Sequence, residues 1–229
     1  KIIKISVLKS NIGYKQKFKL IYDTNYWASN VSKSGTGSTL DNTQNIRSGL
    51  QSVINDYKIR KLLDVPCGDF YWMKEFLNEN LNLNYHGGDI VNSLIEDLKK
   101  KYETNNRSFS NIDIIRDNLP DADLLFCRDC FMHFSNEDIL KSLTNFLNSG
   151  IKFIIVSNTI KPKNFKNKNI NTGEYREVNL FLPPFNLPKN NLVNLDDMMD
   201  IKVGSKQDER KMSMWSRNQI LQVISKKNG

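Results

Sequence analysis

No run of apolar residues in this sequence approaches the roughly 20 needed for a membrane-spanning helix. The apolar start at Ile2-Ile3 is broken at once by Lys4, so the expectation is a cytoplasmic protein with neither a span nor a signal peptide. Cysteine is scarce. Cys67, Cys127 and Cys130 are an odd number set in apolar, strand-like surroundings, which argues against a disulfide framework and for reduced thiols. The Cys127-x-x-Cys130 pair has half the spacing of a zinc site but lacks a second pair, and Asp129 with His133 are too few ligands for another metal. Glycine is sparse too, and G-x-G-x-x-G is absent, which disfavours a pyrophosphate-binding dinucleotide site. No internal repeat is visible.

What is present is a chain of 229 residues with a formal charge of +8, a length that fits one α/β domain. The lysines are spread along the chain and partly collected between Lys161 and Lys168. They suit either an anionic ligand or a solvated basic surface. Helical spacing of Ile46, Leu50, Val53 and Ile54, with Ser38 or Thr39 as cap, predicts a helix over 40–57. From Lys61 short apolar runs alternate with amphipathic stretches, the pattern of βαβ units on a parallel sheet. Strands are expected at 61–65, 83–90, 108–114, 122–127 and 151–156, with helices at 72–80, 93–102 and 136–148, the last ended by Gly150. A long loop over about 160–190 suggests a lid or substrate loop. The alternation at 211–216 predicts a strand paired with 192–195 or 201–203 as a terminal hairpin, followed by a helix over 217–226. The expected architecture is α/β and Rossmann-like: a doubly wound, mostly parallel sheet with a C-terminal antiparallel hairpin. An N-terminal helical extension over 1–57 would precede a core over 58–229.

In such a sheet the ligand sits outside the carboxyl ends of the strands. Strand one ends in Asp64-Val65-Pro66-Cys67-Gly68-Asp69, where one glycine admits close approach to the backbone and Asp64 and Asp69 are candidates for an ammonium. The bland alternative is an ordinary strand-to-helix turn. Strand two ends in Asp89-Ile90, and Asp89 lies about 20 residues beyond Gly68, the interval of a ribose-binding carboxylate. Asp113-Ile114 at the end of strand three is a candidate for an adenine amino group. The fourth strand delivers Cys127, Arg128, Asp129 and His133 to the ligand edge. His133 is the candidate general base, with a satisfied structural histidine as the alternative. Asp129 is placed to orient it or to bind an acceptor, and Arg128 to bind an acceptor phosphate. His86, inside strand two, has a structural role, and Cys67 and Cys127 are expected as neighbouring packed thiols.

Four segments resemble a known family: Asp64-Val-Pro-Cys-Gly-Asp-Phe-Tyr-Trp-Met, Gly88-Asp-Ile-Val, 119–135 with its Cys-Arg-Asp-Cys-Phe-Met-His-Phe-Ser end, and Asn171-Thr-Gly with Pro183-Pro-Phe-Asn-Leu-Pro. They are similar to class I S-adenosylmethionine-dependent methyltransferases, and more narrowly to a bacterial group associated with capsule and surface-glycan biosynthesis. The resemblance implies that Gly68 and its neighbours hold the methionine part, Asp89 the ribose and Asp113-Ile114 the adenine. It also implies that Gly35, Gly37, Ser38 and Arg47 close over the cofactor, Arg47 offering a planar fork to its carboxylate, with Trp27, Thr39 and Trp72 completing the pocket. The implied reaction is O-methylation of a sugar, nucleotide sugar or small phosphorylated precursor. A phosphate or phosphoramidate oxygen is one alternative acceptor. RNA is another, motivated by the basic charge and by Tyr14, Phe18, Tyr22 and Tyr26, although no separate RNA-binding module is visible and such aromatics more often pack a helix on a core.

Overall fold

The computed structural model describes residues 12–160, 164–197 and 209–225. Seven strands form one sheet in the order β3-β2-β1-β4-β5-β7-β6. Strands β1 (Lys61–Asp64), β2 (Asn84–Asp89), β3 (Arg107–Asn111), β4 (Leu124–Cys127) and β5 (Phe153–Ile160) pair in parallel, while β6 (Val193–Asp196) and β7 (Glu209–Ser216) form an antiparallel hairpin on β5. The hairpin partner is thus the 192–195 segment; the alternative at 201–203 lies outside the described residues. Helices α1 (Tyr14–Asp23) and α2 (Gln44–Asp56) precede the sheet; α3 (Tyr71–Asn78), α4 (Asn92–Tyr102), α5 (Asn136–Ser149) and α6 (Arg217–Ile224) follow its strands.

The apolar runs form the central strands because both sheet faces are covered. One core cluster holds Leu62, Leu124 and Phe126 with the apolar stripes of α2, α3 and α4, and the other holds Leu63, Leu125 and Cys127 with those of α5 and α6. Alternation along the strands therefore corrects one expectation. β1 and β4 are neighbours, but Cys67 packs in the first cluster and Cys127 in the second, on opposite faces. Cys127 instead packs in the same cluster as Cys130. All three cysteines are free thiols.

Helix α2 begins later than its apolar stripe suggests, since residues 40–43 form turns closed by Thr43 N–H bonds to the carbonyls of Thr39 and Leu40. Ser135 caps α5 by accepting from the Asp138 amide, and Gly150 ends it at φ 80°. β3 stops at Asn111, opposite the last residue of β2. Asp113 and Ile114 therefore sit in the turn beyond it, closed by Asp113 N–H donating to Asp117 at 2.8 Å. β5 runs on to Ile160 because β7 pairs with it along its whole length.

The long loop is not the free lid its length suggested. Val178, Leu180, Phe185 and Leu187 are buried in the core, and Arg176 donates to the carbonyls of Phe131 (2.6 Å) and Lys168 (3.2 Å). Lys161 and Lys163 of the basic run, and Lys226 of the closing helix, lie outside the described residues. No helix among the described residues is long and apolar enough to cross a membrane.

Candidate active site

The carboxyl ends of β1, β2 and β4 open into a cavity of 490 Å³, roofed by α1 and the turn at 33–38. Of the residues singled out in the sequence, Trp27, Gly35, Gly37, Ser38, Asp64, Pro66, Cys67, Gly68, Asp69 and Trp72 line it, as do Asp89, Ile90, Asp113, Ile114, Arg128, Asp129 and His133. Thr39, Arg47 and Cys127 do not. Thr39 is spent on the turn before α2. Arg47 curls back to donate to the Leu40 carbonyl at 3.0 Å, because α2 starts late and turns its side chain toward its own first turn. Cys127 is fully buried on the far side of β4, where alternation puts it.

Gly68 (φ +54°) makes the turn after β1; a Cβ there would lie 2.3 Å from Ser34 Oγ. Asp69 lines the cavity and also faces this segment. It accepts from Lys33 N at 2.7 Å, Ser32 Oγ at 3.0 Å and Ser34 Oγ at 3.2 Å, fastening the 32–34 stretch across the turn. Asp64 is buried, accepts from Tyr85 OH at 2.8 Å, and is pushed up to about 8 by burial. Asp89 accepts one backbone N–H on each oxygen, from Gly68 (3.2 Å) and Val91 (3.0 Å). Burial raises it to about 6, so it is ionised near neutrality. Asp113 is held from α1 by Tyr14 OH at 2.7 Å and Lys15 Nζ at 3.1 Å. Burial and that carboxylate together raise the Tyr14 hydroxyl above its usual range.

His133 lies on a short 3₁₀ turn after β4. Its Nδ1 is 2.9 Å from the Glu174 carbonyl, so Nδ1 carries the proton and Nε2 is the basic atom. Burial lowers its pKa to about 4, the Glu174 carbonyl opposing this in part. Phe18, Trp27 and Tyr175 surround the ring at centroid distances of 6.4, 5.4 and 5.7 Å. The expected orienting role of Asp129 is therefore filled by a backbone carbonyl of the long loop. Asp129 itself sits in the left-handed region (φ 57°) and pairs with Arg210 Nη2, with Arg128 Nη1 at 3.6 Å. Arg128 Nε donates to buried Asp197 at 2.6 Å. His86 is structural, its two ring nitrogens 2.8 and 2.6 Å from the hydroxyls of Ser108 and Ser110.

Sequence reasoning missed Phe18 and Tyr22 as cavity residues, along with Lys33, Tyr175 and Arg210. The aromatics of α1 had a usable signal in their helical spacing; Tyr175 and Arg210 had none, coming from an aperiodic loop and from the hairpin. No group of three or more metal-ligating side chains occurs among the described residues.

No family model matches the chain, and no curated protein matches it. Solved structures share its fold. PigF with SAH aligns at a TM-score of 0.60 and 13% identity over 90% of this chain and 63% of that one. Human N-acetylserotonin methyltransferase in complex with SAM aligns at 0.53 and 11% over 93% and 56%. The S-adenosylmethionine-dependent methyltransferase SibL in its apo form aligns at 0.53 and 12% over 76% and 55%. The chain thus spans little more than half the length of these proteins, and what it shares with them is the fold; in this chain β7 lies antiparallel between β5 and β6.

Proposed function

We propose that this chain is a cytoplasmic S-adenosylmethionine-dependent methyltransferase, one domain whose described residues before β1 form a helical cap, that methylates an oxygen of a sugar, nucleotide sugar or small phosphorylated acceptor. The observation that supports the cofactor is Asp89: a buried carboxylate whose two oxygens are oriented by the Gly68 and Val91 amides at the carboxyl end of β2. Each oxygen retains acceptor capacity for a ribose diol. The surroundings fit the rest of the molecule. Gly68 lets the backbone approach the methionine end, Asp64 faces it as a carboxyl that would give up its proton on pairing with an ammonium, and Ile90, Ile112 and Met132 offer apolar contact to an adenine. Asp69, bonded to 32–34, and Arg47, whose Nη2 donates to the Leu40 carbonyl, have other partners here and weigh less in the ammonium and carboxylate roles.

When bound, the cofactor supplies a methyl group already activated as a sulfonium. The chain's part is to orient the acceptor, exclude water and accept a proton. Orientation can lower a barrier by roughly 7 to 11 kcal/mol. His133, neutral and with its tautomer fixed by the Glu174 carbonyl, accepts the hydroxyl proton at Nε2. A placed base contributes about 10² to 10⁴ in rate, and the lowered pKa sets His133 toward the weak end of that range.

Lys33 at the cavity favours a second reading, in which the acceptor is a phosphate or phosphoramidate oxygen that needs no base. The RNA reading has less to support it, since three of its four aromatics have other places. Phe18 and Tyr22 line the cavity and Tyr14 is bonded to Asp113. The resemblance to surface-glycan enzymes supplies the first acceptors to try: labelled S-adenosylmethionine with nucleotide sugars, sugar phosphates, small phosphorylated metabolites and RNA. Transfer to a sugar hydroxyl that collapses in His133→Ala supports the first reading, transfer to phosphate that survives it supports the second, and transfer to RNA alone removes both.

A further inference from the structure

Four charged side chains at the carboxyl edge close into a ring of alternating sign. Asp197, fully buried just beyond β6, accepts Arg128 Nε on one oxygen and Arg210 Nε on the other, each at 2.6 Å. Asp129 completes the ring, pairing with Arg210 through Oδ1 and facing Arg128 Nη1 at 3.6 Å through Oδ2. Two arginines and two aspartates cancel, so Arg128 brings no net charge to an acceptor phosphate. A buried ion cluster of this kind is weak evidence for stability, because desolvation offsets much of the attraction. Its geometry points elsewhere. The remaining nitrogen of Arg128, Nη2, donates to the Gly37 carbonyl at 2.9 Å. That carbonyl belongs to the turn that roofs the cavity, whose leading residues 32–34 are fastened by Asp69. Arg128 is the second fastening, coming from β4.

We propose that Arg128, set in place by Asp197 and Arg210, is a positioning residue that holds the 35–38 turn down over the cofactor, so that the β6–β7 hairpin tunes cofactor affinity through Arg128. This rests on the cofactor reading given above. In Arg128→Lys the charge beside Asp197 is kept, but a single ammonium on a flexible stem does not reproduce the planar fork that spans Asp197 and Gly37. In Asp197→Asn, Arg128 is chemically intact but loses its anchor.

Both variants are expected to weaken S-adenosylhomocysteine binding by about ten-fold or more in calorimetry, as for loss of one hydrogen bond to a charged group. Turnover at saturating cofactor should be changed far less than affinity, and amide exchange at residues 35–38 of the ligand-free protein should accelerate. Affinity within about two-fold of wild type together with unchanged exchange, even alongside a lower melting temperature, makes the ring purely structural and overturns the proposal. If the wild type itself fails to bind S-adenosylhomocysteine, the cofactor reading falls, and the exchange rates still decide whether Arg128 fastens the turn.

Discussion

Replacing His133 by glutamine separates its place in the fold from its chemistry, since an amide can still donate to the Glu174 carbonyl but cannot act as a base. Burial holds the imidazole at about 4, against an ordinary 6.5. In the folded chain it is therefore neutral across the physiological range, while in the unfolded chain it takes a proton below 6.5. The unfolded state binds more protons between those values, so His133 subtracts stability as pH falls from 6.5 to 4 and costs nothing above that window. The distance between the two values corresponds to at most about 3 kcal/mol, reduced by the water that reaches the partly exposed ring. Thermal unfolding of wild type and His133→Gln in parallel should give curves that coincide at pH 8 and diverge below 6.5, the wild type losing more. Once an acceptor is found, wild-type kcat/KM should show no acid limb near 6.5, and the variant should lose about 10² to 10⁴ in rate. A stability difference that is flat with pH, or a rate that falls with an apparent pKa near 6.5, would refute the assignment of a buried, neutral base.

Asp89→Asn removes a carboxylate that burial holds at about 6. Wild-type affinity for S-adenosylhomocysteine should fall by up to about ten-fold per pH unit below 6, whereas the variant should be weaker and flat. Because its folded value of about 6 lies above the ordinary 3.8, Asp89 costs stability as pH rises across that window, so the melting difference between the ligand-free wild type and variant should change between those values and be flat above them. At Gly68 the left-handed backbone and a Cβ 2.3 Å from Ser34 Oγ act together. Gly68→Ala should cost about 1–3 kcal/mol in chemical denaturation and loosen the 32–34 segment; an unchanged midpoint would show that the turn relaxes freely.

Much of this architecture is written in local patterns. Leu62-Leu63 and Leu124-Leu125-Phe126 announce central strands, and the stripe from Ile46 to Ile54 announces a helix that covers them. The errors have physical causes. Ile112 and Ile114 extended the apolar run of β3, but the ladder ends at Asn111, Ile112 N–H gives its last bond to the Asp89 carbonyl at 3.0 Å, and Ile114 lies in the turn that closes on Asp117. The length of β5 depends on β7, some fifty residues later, which no local window contains. At the site, residues on strand ends were legible because the fold class dictates where strand ends lie. Arg47 misled because a helix residue's direction depends on where the helix begins. The orienter of His133 is a backbone carbonyl, and any residue supplies one. Arg210 and Asp197 gain meaning only when the hairpin pairs along β5 and brings them to Arg128 beyond β4.

The central claim is that the cavity between β1, β2 and β4 takes an S-adenosyl cofactor and not a dinucleotide. Titration calorimetry of S-adenosylhomocysteine into the wild-type chain tests it without knowledge of the acceptor. Saturable one-to-one binding that NAD does not compete away, and that weakens in Asp89→Asn, is the predicted result. Absence of binding at about 1 mM ligand, or binding indifferent to Asp89, would contradict it.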